Sequence, residues 1–170
     1  VLVVPGAPES APNTGGPVLV PTDGSENATN AYPHAATLAA ELGVSIHLLS
    51  VLDLQRVGGV FDAGGLDRSV IDRFEGDLHD TLEAGRTTLT ERGPWTTIDT
   101  ELRRTAEFEG ISGQIRDAAQ SVEADWIVMG SHGRSNVTRQ LVGSVTETLL
   151  RDIDVPVVVV PRGLDQSSAG

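Results

Sequence analysis

The apolar positions of this chain fall into two patterns. Compact runs at residues 17–21, 44–52, 95–102, 125–129 and 156–160 are largely apolar or threonine-rich and show little alternation. Strands covered on both faces read this way. Between the runs, apolar residues recur every three or four positions. Ala28, Ala31, Ala35, Leu38, Ala39 and Leu42 form one stripe. Val70, Ile71, Phe74, Leu78 and Leu82 form a second, which continues toward Leu89. Ile111, Ile115, Ala118, Ala119 and Val122 form a third, and Val145, Leu149 and Leu150 a fourth. That spacing predicts four amphipathic helices. Ser25 or Asn27 is placed to cap the first, Pro33 lies near enough its start to be tolerated, and Gly43 ends it. Leu141 or Gly143 opens the last.

Strand and helix thus alternate, and crossovers of this length join parallel neighbours. The prediction is an α/β domain: an open, twisted, mostly parallel five-stranded sheet with helices on both faces. Ligands of such sheets bind beyond the carboxyl ends of the strands, where strand order reverses. Asp23 and Gly130 each follow a strand and are expected to face one crevice.

The N-terminus adds an element outside this alternation. Val1-Leu2-Val3-Val4-Pro5 echoes Val157-Val158-Val159-Val160-Pro161. Residues 1–5 are read either as the terminal strand of a preceding similar domain or as an unrelated strand of similar composition, residues 6–16 as a linker, 17–161 as the domain, and 162–170 as a tail.

Charge narrows the partners. The 170 residues carry a net charge of -12, and all twelve basic residues are arginine. Such a surface repels nucleic acid and anionic membranes and suits a salt-rich cytoplasm, so a halophilic, cytoplasmic protein is expected. Cysteine is absent, which excludes disulfide and thiol chemistry. His34, His47, His79 and His132 have no metal-ligand spacing. Their order with serine and acidic residues defines no hydrolytic triad, and no catalytic residue is assigned.

The strongest chemical signal is Gly130-Ser131-His132-Gly133, then nine residues, then Gly143-Ser144. A strand ends in glycine-punctuated backbone and a helix begins, so exposed N–H groups and a helix N-terminus favour an anion. A Walker loop is ruled out because its Lys-Ser or Lys-Thr is missing. Glycines at turns need no ligand, and Asp23 beside Gly24-Ser25 suits a turn or cap equally well.

The stretches Val18-Leu19-Val20-Pro21-Thr22-Asp23-Gly24-Ser25, Asp125 through Arg134, Gly143-Ser144-Val145 and Val155 through Val160 closely resemble the universal stress protein family. The resemblance runs from residue 17 to about 161. Its Gly-x-x-Gly, nine residues, Gly-Ser motif is the one carried by the ATP-binding branch. It implies a Rossmann-like fold of the adenine nucleotide alpha hydrolase type. By matched position, Asp23 would lie near ribose and phosphates and help place Mg²⁺ or Mn²⁺ through water, with Pro21 and Thr22 shaping the adjoining loop. Ile46 would help seat adenine, and Met129 and Gly130 would border the ribose. Gly133, Arg134, Gly143 and Ser144 would approach the phosphates. Asn136 departs from the glycine many members have there.

The resemblance also implies pairing of terminal strands, either in a homodimer or in an intramolecular pseudo-dimer. The expected function is an ATP-binding stress-response or signalling module acting on an unidentified protein partner. An assembly module without nucleotide, or a weak ATP phosphohydrolase, are the alternatives.

Overall fold

Successive residues of an extended strand face opposite sides of a sheet, so a sheet with two dry faces needs two cores. Leu48 and Leu49 are neighbours, both fully buried, and each belongs to a different core. The computed structural model describes residues 2–3, 15–55, 68–93, 97–105, 109–132 and 142–161. Its strands are β1 (Leu2–Val3), β2 (Val18–Pro21), β3 (Ile46–Leu52), β4 (Ile98–Arg104), β5 (Trp126–Gly130) and β6 (Val157–Val160). They form one sheet in the order β1-β6-β5-β2-β3-β4. Strands β2 to β6 are mutually parallel, as the alternating pattern predicts. The short β1 adds an antiparallel edge.

The described helices are α1 (Glu26–Thr29), α2 (Tyr32–Leu42), α3 (Arg68–Arg92), α4 (Ile111–Ser121) and α5 (Ser144–Asp152). Ala35 and Ala39 of α2 and Leu82 and Leu89 of α3 cover one face, against Val18, Val20, Ile46, Leu48 and Val128. Ile115, Ala118 and Ala119 of α4 and Leu149 of α5 cover the other, against Leu19, Leu49, Ile127, Met129 and Val157.

Local chemistry explains where elements begin and end. The single first helix expected from the stripe is two helices. Ser25 caps α1 by accepting a bond from the Ala28 N–H, and Pro33 falls in the first turn of α2. Proline lacks the N–H that a continuous helix would need there, so the chain restarts at Ala31–Tyr32. Gly43 ends α2 in the left-handed conformation, φ 68°. Strand β4 runs two residues further than the pattern indicates, through Arg103 and Arg104. It is an edge strand, where charged residues are tolerated and blunt unwanted pairing.

The edge also explains His47. Its Nε2 lies 2.8 Å from Glu101 Oε2, and Arg103 Nε donates to Glu101 Oε1 at 2.6 Å. Burial pushes the Glu101 carboxyl up, but the bonds from Arg103 and His47 outweigh it and hold the group below its ordinary 4.5. Arg104 pairs with Glu75 of α3 across the other face. Asp125 Oδ2 accepts from the Gly15 and Gly16 N–H groups at 3.0 and 2.8 Å, which pins the entry to β2. The rest of the expected linker, residues 6–14, and the expected tail, 162–170, lie outside the described residues. Among the described residues no helix is long and apolar enough to cross a membrane.

Two glycines of α3 should respond oppositely to alanine. A Cβ at Gly76 would meet nothing within 4 Å, whereas one at Gly85 would lie 2.8 Å from both a Leu48 methyl and the Tyr32 hydroxyl. Gly76→Ala should raise unfolding free energy by about 0.5–1 kcal/mol through helix propensity. Gly85→Ala should lower it by about 1–3 kcal/mol through overpacking. Urea denaturation followed by circular dichroism reads both.

Candidate functional site

The chain proceeds from β2 through β3 to β4 on one side of the sheet, and through β5 to β6 on the other. Strand order therefore reverses between β2 and β5, where the loops leaving the two strands diverge. A cleft opens there. It holds about 760 Å³ counted to its open mouth.

Its walls differ in chemistry. Leu49 and Val51 of β3 and Ile111 and Ile115 of α4 make an apolar side. Pro21, Thr22 and Asp23 enter from the end of β2. Met129, Gly130 and His132 enter from the end of β5. Gly143, Ser144, Val145 and Thr146 bring the N-terminus of α5, which has no side-chain cap. The first N–H groups of a helix lack intrahelical partners and carry its positive pole, so this end of the cleft favours an anion.

Gly130 has a packing reason to be glycine. A Cβ there would lie 2.3 Å from the Asn27 carbonyl oxygen and 2.8 Å from its carbon. Helix α1 rests its backbone directly on the end of β5, so the missing side chain serves a backbone-to-backbone contact within the chain at the cleft's base. Gly143 is less tightly held. Its N–H donates to the Ser131 carbonyl at 2.7 Å, and a Cβ would lie 3.3 Å from that oxygen and 3.4 Å from His132 Cα. Gly143 thereby joins the start of α5 to the chain leaving β5.

Thr22 ties the cleft to the core. Its N–H donates to the Leu49 carbonyl, its carbonyl accepts from Ser50 Oγ at 2.8 Å, and its hydroxyl lies 2.9 Å from the buried Tyr32 hydroxyl. The Gly24 N–H also reaches Thr22 Oγ1, at 3.2 Å. Asp23 accepts from the Ser25 N–H at 3.0 Å, so it is a turn residue as well as a wall of the cleft. Burial raises the Tyr32 phenol above its ordinary 10.0; the Thr22 bond opposes that, and the Asp23 charge adds to it. Ser131 Oγ lies 3.0 Å from His132 Nδ1, and both residues are buried.

Of the residues expected from the motif, Pro21, Thr22, Asp23, Met129, Gly130, Gly143 and Ser144 line this one cleft. Gly133 and Arg134 lie outside the described residues. Ile46 is elsewhere. It packs in the α2–α3 core at the start of β3, on the face and at the end opposite the cleft. Period-two alternation puts Ile46, Leu48 and Ser50 on one face and Leu49 and Val51 on the other. Val51 and Leu49 are the β3 residues at the cleft, and counting the strand from its exit at Asp53 would have found them. Val145 and Thr146 were also missed, though their place in the first turn after Gly143-Ser144 marks them. Among the described residues no group of three or more His, Asp or Glu is arranged to hold a metal. A cation here would take its remaining ligands from water and substrate oxygens.

Two measurements test this geometry without any ligand. Gly130→Ala should cost about 3 kcal/mol or more, because the clash is with backbone rather than a movable side chain; Gly143→Ala should cost less than half of that. Thermal melts of both variants make the comparison. Tyr32 is the single tyrosine, so absorbance at alkaline pH reports it alone. Its folded midpoint should exceed 10.0, and Asp23→Asn should lower it. Because the folded value is raised, the associated stability is present below 10.0 and is lost as pH climbs through the folded midpoint.

Comparison with known proteins agrees with the fold. The family model described as "Universal stress protein family" matches residues 16–161. Universal stress protein MJ0577 of Methanocaldococcus jannaschii is 29% identical over 164 residues, covering 85% of this chain and 94% of that protein. Its solved structure superposes with a TM-score of 0.72 at 25% identity, covering 88% and 97% of the two chains. Universal stress protein Sll1654 of Synechocystis is 31% identical over 145 residues, covering 85% and 84%. A universal stress protein of Mycolicibacterium smegmatis is 29% identical over 170 residues, covering 95% of this chain but 51% of its own length. The chain belongs to the universal stress protein family.

Proposed function

We propose that this protein is an ATP-binding regulatory module that takes the nucleotide with Mg²⁺ or Mn²⁺ in the cleft between β2 and β5. The observation that carries the reading is the pairing, at the strand switch point, of an apolar wall with the uncapped N-terminus of α5. Adenine is apolar on its faces and fits the side made by Leu49, Val51, Ile111 and Ile115. The polyphosphate fits Gly143, Ser144 and the first N–H groups of α5. Asp23 is placed to accept from ribose hydroxyls and to orient a hydrated cation. Met129 and Gly130 line the same cleft, and we assign them to the ribose; Thr22 holds the loop that carries Asp23. Gly133 and Arg134 complete the motif of the family's ATP-binding branch, and we assign them to the phosphates on that ground.

The reading is regulatory rather than catalytic. Phosphoryl transfer also needs an aligned water and compensation of transition-state charge, and we assign no residue to either task. Occupancy would act through the segment after β2 and the start of α5, which both line the cleft, and so by changing affinity for a protein partner. We also read residues 1–5 as the terminal strand of a preceding similar domain, with 6–16 as linker. The antiparallel seat of Leu2–Val3 and the twofold length of the Mycolicibacterium smegmatis relative support this; that match covers 95% of the chain, so it reaches ahead of Gly16.

Calorimetric titration of the protein with ATP and Mg²⁺ tests the main reading. The parent should bind saturably. Val51→Glu, which puts a charge in the apolar wall, and Gly143→Val, which crowds the anion end, should each weaken binding at least about tenfold, or about 1.4 kcal/mol. Circular dichroism confirms that the variants are folded. A folded parent that binds no adenine nucleotide would overturn the proposal and leave an assembly module of the same fold.

A further inference from the structure

Asp23 meets the cleft on one side, and the loop that carries it rests on α3 on the other. A Cβ on Gly24, whose φ is 74°, would lie 2.8 Å from the Thr81 methyl. One on Gly85 would lie 2.8 Å from the Tyr32 hydroxyl. Thr81 and Gly85 stand four residues apart on α3 and therefore share a face. The loop and the tip of Tyr32 press on one stripe of this helix. Tyr32 itself is not among the described residues that line the cleft.

The Tyr32 hydroxyl is cut off from water, since the residue is 2% exposed, and it pairs with Thr22 Oγ1 at 2.9 Å. The same Thr22 oxygen accepts from the Gly24 N–H at 3.2 Å, bridging Asp23. Asp23 Oδ1 in turn accepts from the Ser25 N–H at 3.0 Å. The Thr22 backbone is fastened separately, by Leu49 and by Ser50 Oγ. Losing the tyrosine hydroxyl therefore leaves the end of β2 in place. It releases the Thr22 side chain and, through it, the peptide that follows Asp23. Tyr32 thus aims the carboxylate from behind without touching anything the cleft holds.

A carboxylate tells a hydroxyl from a hydrogen only while it is aimed, because hydrogen bonds weaken steeply once distance or angle is lost. Bonds to a charged acceptor are the ones that discriminate most. Asp23 is the only carboxylate among the described residues of the cleft, so recognition of ribose hydroxyls by charge falls to it. We propose that Tyr32 is a positioning residue that makes the cleft select a ribonucleotide over one without ribose hydroxyls, acting through Thr22 on Asp23. The proposal rests on the nucleotide reading and adds to it which residue sets the sugar selectivity.

The test is calorimetric titration of the 170-residue chain with ATP and with 2′,3′-dideoxy-ATP, each with Mg²⁺. The parent, Tyr32→Phe, Asp23→Asn and the double variant are compared, with circular dichroism to confirm folding. The parent should prefer ATP by about tenfold or more, the worth of a bond to a charged acceptor. Tyr32→Phe keeps the ring, and should cut that preference by at least about threefold while changing the affinity for dideoxy-ATP by less than about twofold. Because Tyr32 acts through Asp23, the double variant should show no smaller preference than Asp23→Asn alone. Thr22→Val breaks the same bond from the other side and should lower the preference in the same direction, so the outcome does not hang on one variant. A parent that binds neither ligand overturns the nucleotide reading and this proposal with it. A parent that binds both but shows no preference, a Tyr32→Phe variant that keeps the full preference, or one that weakens both ligands equally overturns this proposal alone.

Discussion

The contact between Gly130 and the Asn27 carbonyl governs the cleft end of this molecule. Backbone meets backbone there, 2.3 Å from where a side chain would begin. That approach seats α1 on the end of β5 and leaves the adjoining space between β2 and β5 as a cleft. The positions of Ala28, Pro21 and Asp23 follow, because α1 and its Ser25 cap continue directly from the loop after β2. A larger residue at position 130 would push α1 away, and the walls of the cleft would part.

Beneath the cleft, a polar chain runs through an otherwise apolar interior. Tyr32 is packed by Gly85 of α3 and reaches Thr22, whose backbone is held by Leu49 and Ser50. Buried hydroxyls are costly unless paired, so this pairing fixes one arrangement of α2, α3, β2 and β3 relative to the loop that carries Asp23. The stability of the α2–α3 core and the geometry of the site are coupled through one threonine. The opposite core has its own link: Ile115 of α4 and Met129 of β5 each pack in it and line the cleft. Both faces of the sheet thus converge on the switch point.

Much of the site was readable because its markers are local. Pro21-Thr22-Asp23, Met129-Gly130 and Gly143-Ser144 each sit at the junction of a strand or helix with a loop, and such junctions leave sharp punctuation in a sequence. The apolar wall leaves none. Ile46 and Val51 have the same chemistry and lie on the same strand, and only parity and distance from the strand's end separate them. Parallel pairing with β2 sets Ile46 against Val18 and Leu49 against Pro21. That register places Ile46 at the bottom of the sheet and Val51 beyond the top of β2.

The sequence by itself determined the fold class, the alternation of strands and helices, the presence of two cores and the junctions that gather at the crevice. These depend on periodicity and turn chemistry, which act over a few residues. Tertiary structure decided the rest. It split the first helix at Pro33, carried β4 through Arg103 and Arg104, and chose Leu49 and Val51 over Ile46. It also showed that Gly130 is glycine because a helix backbone needs the space, and that the strand at Leu2–Val3 belongs on the edge of β6. Each of these turns on which distant segment packs against a residue, and no local pattern carries that information.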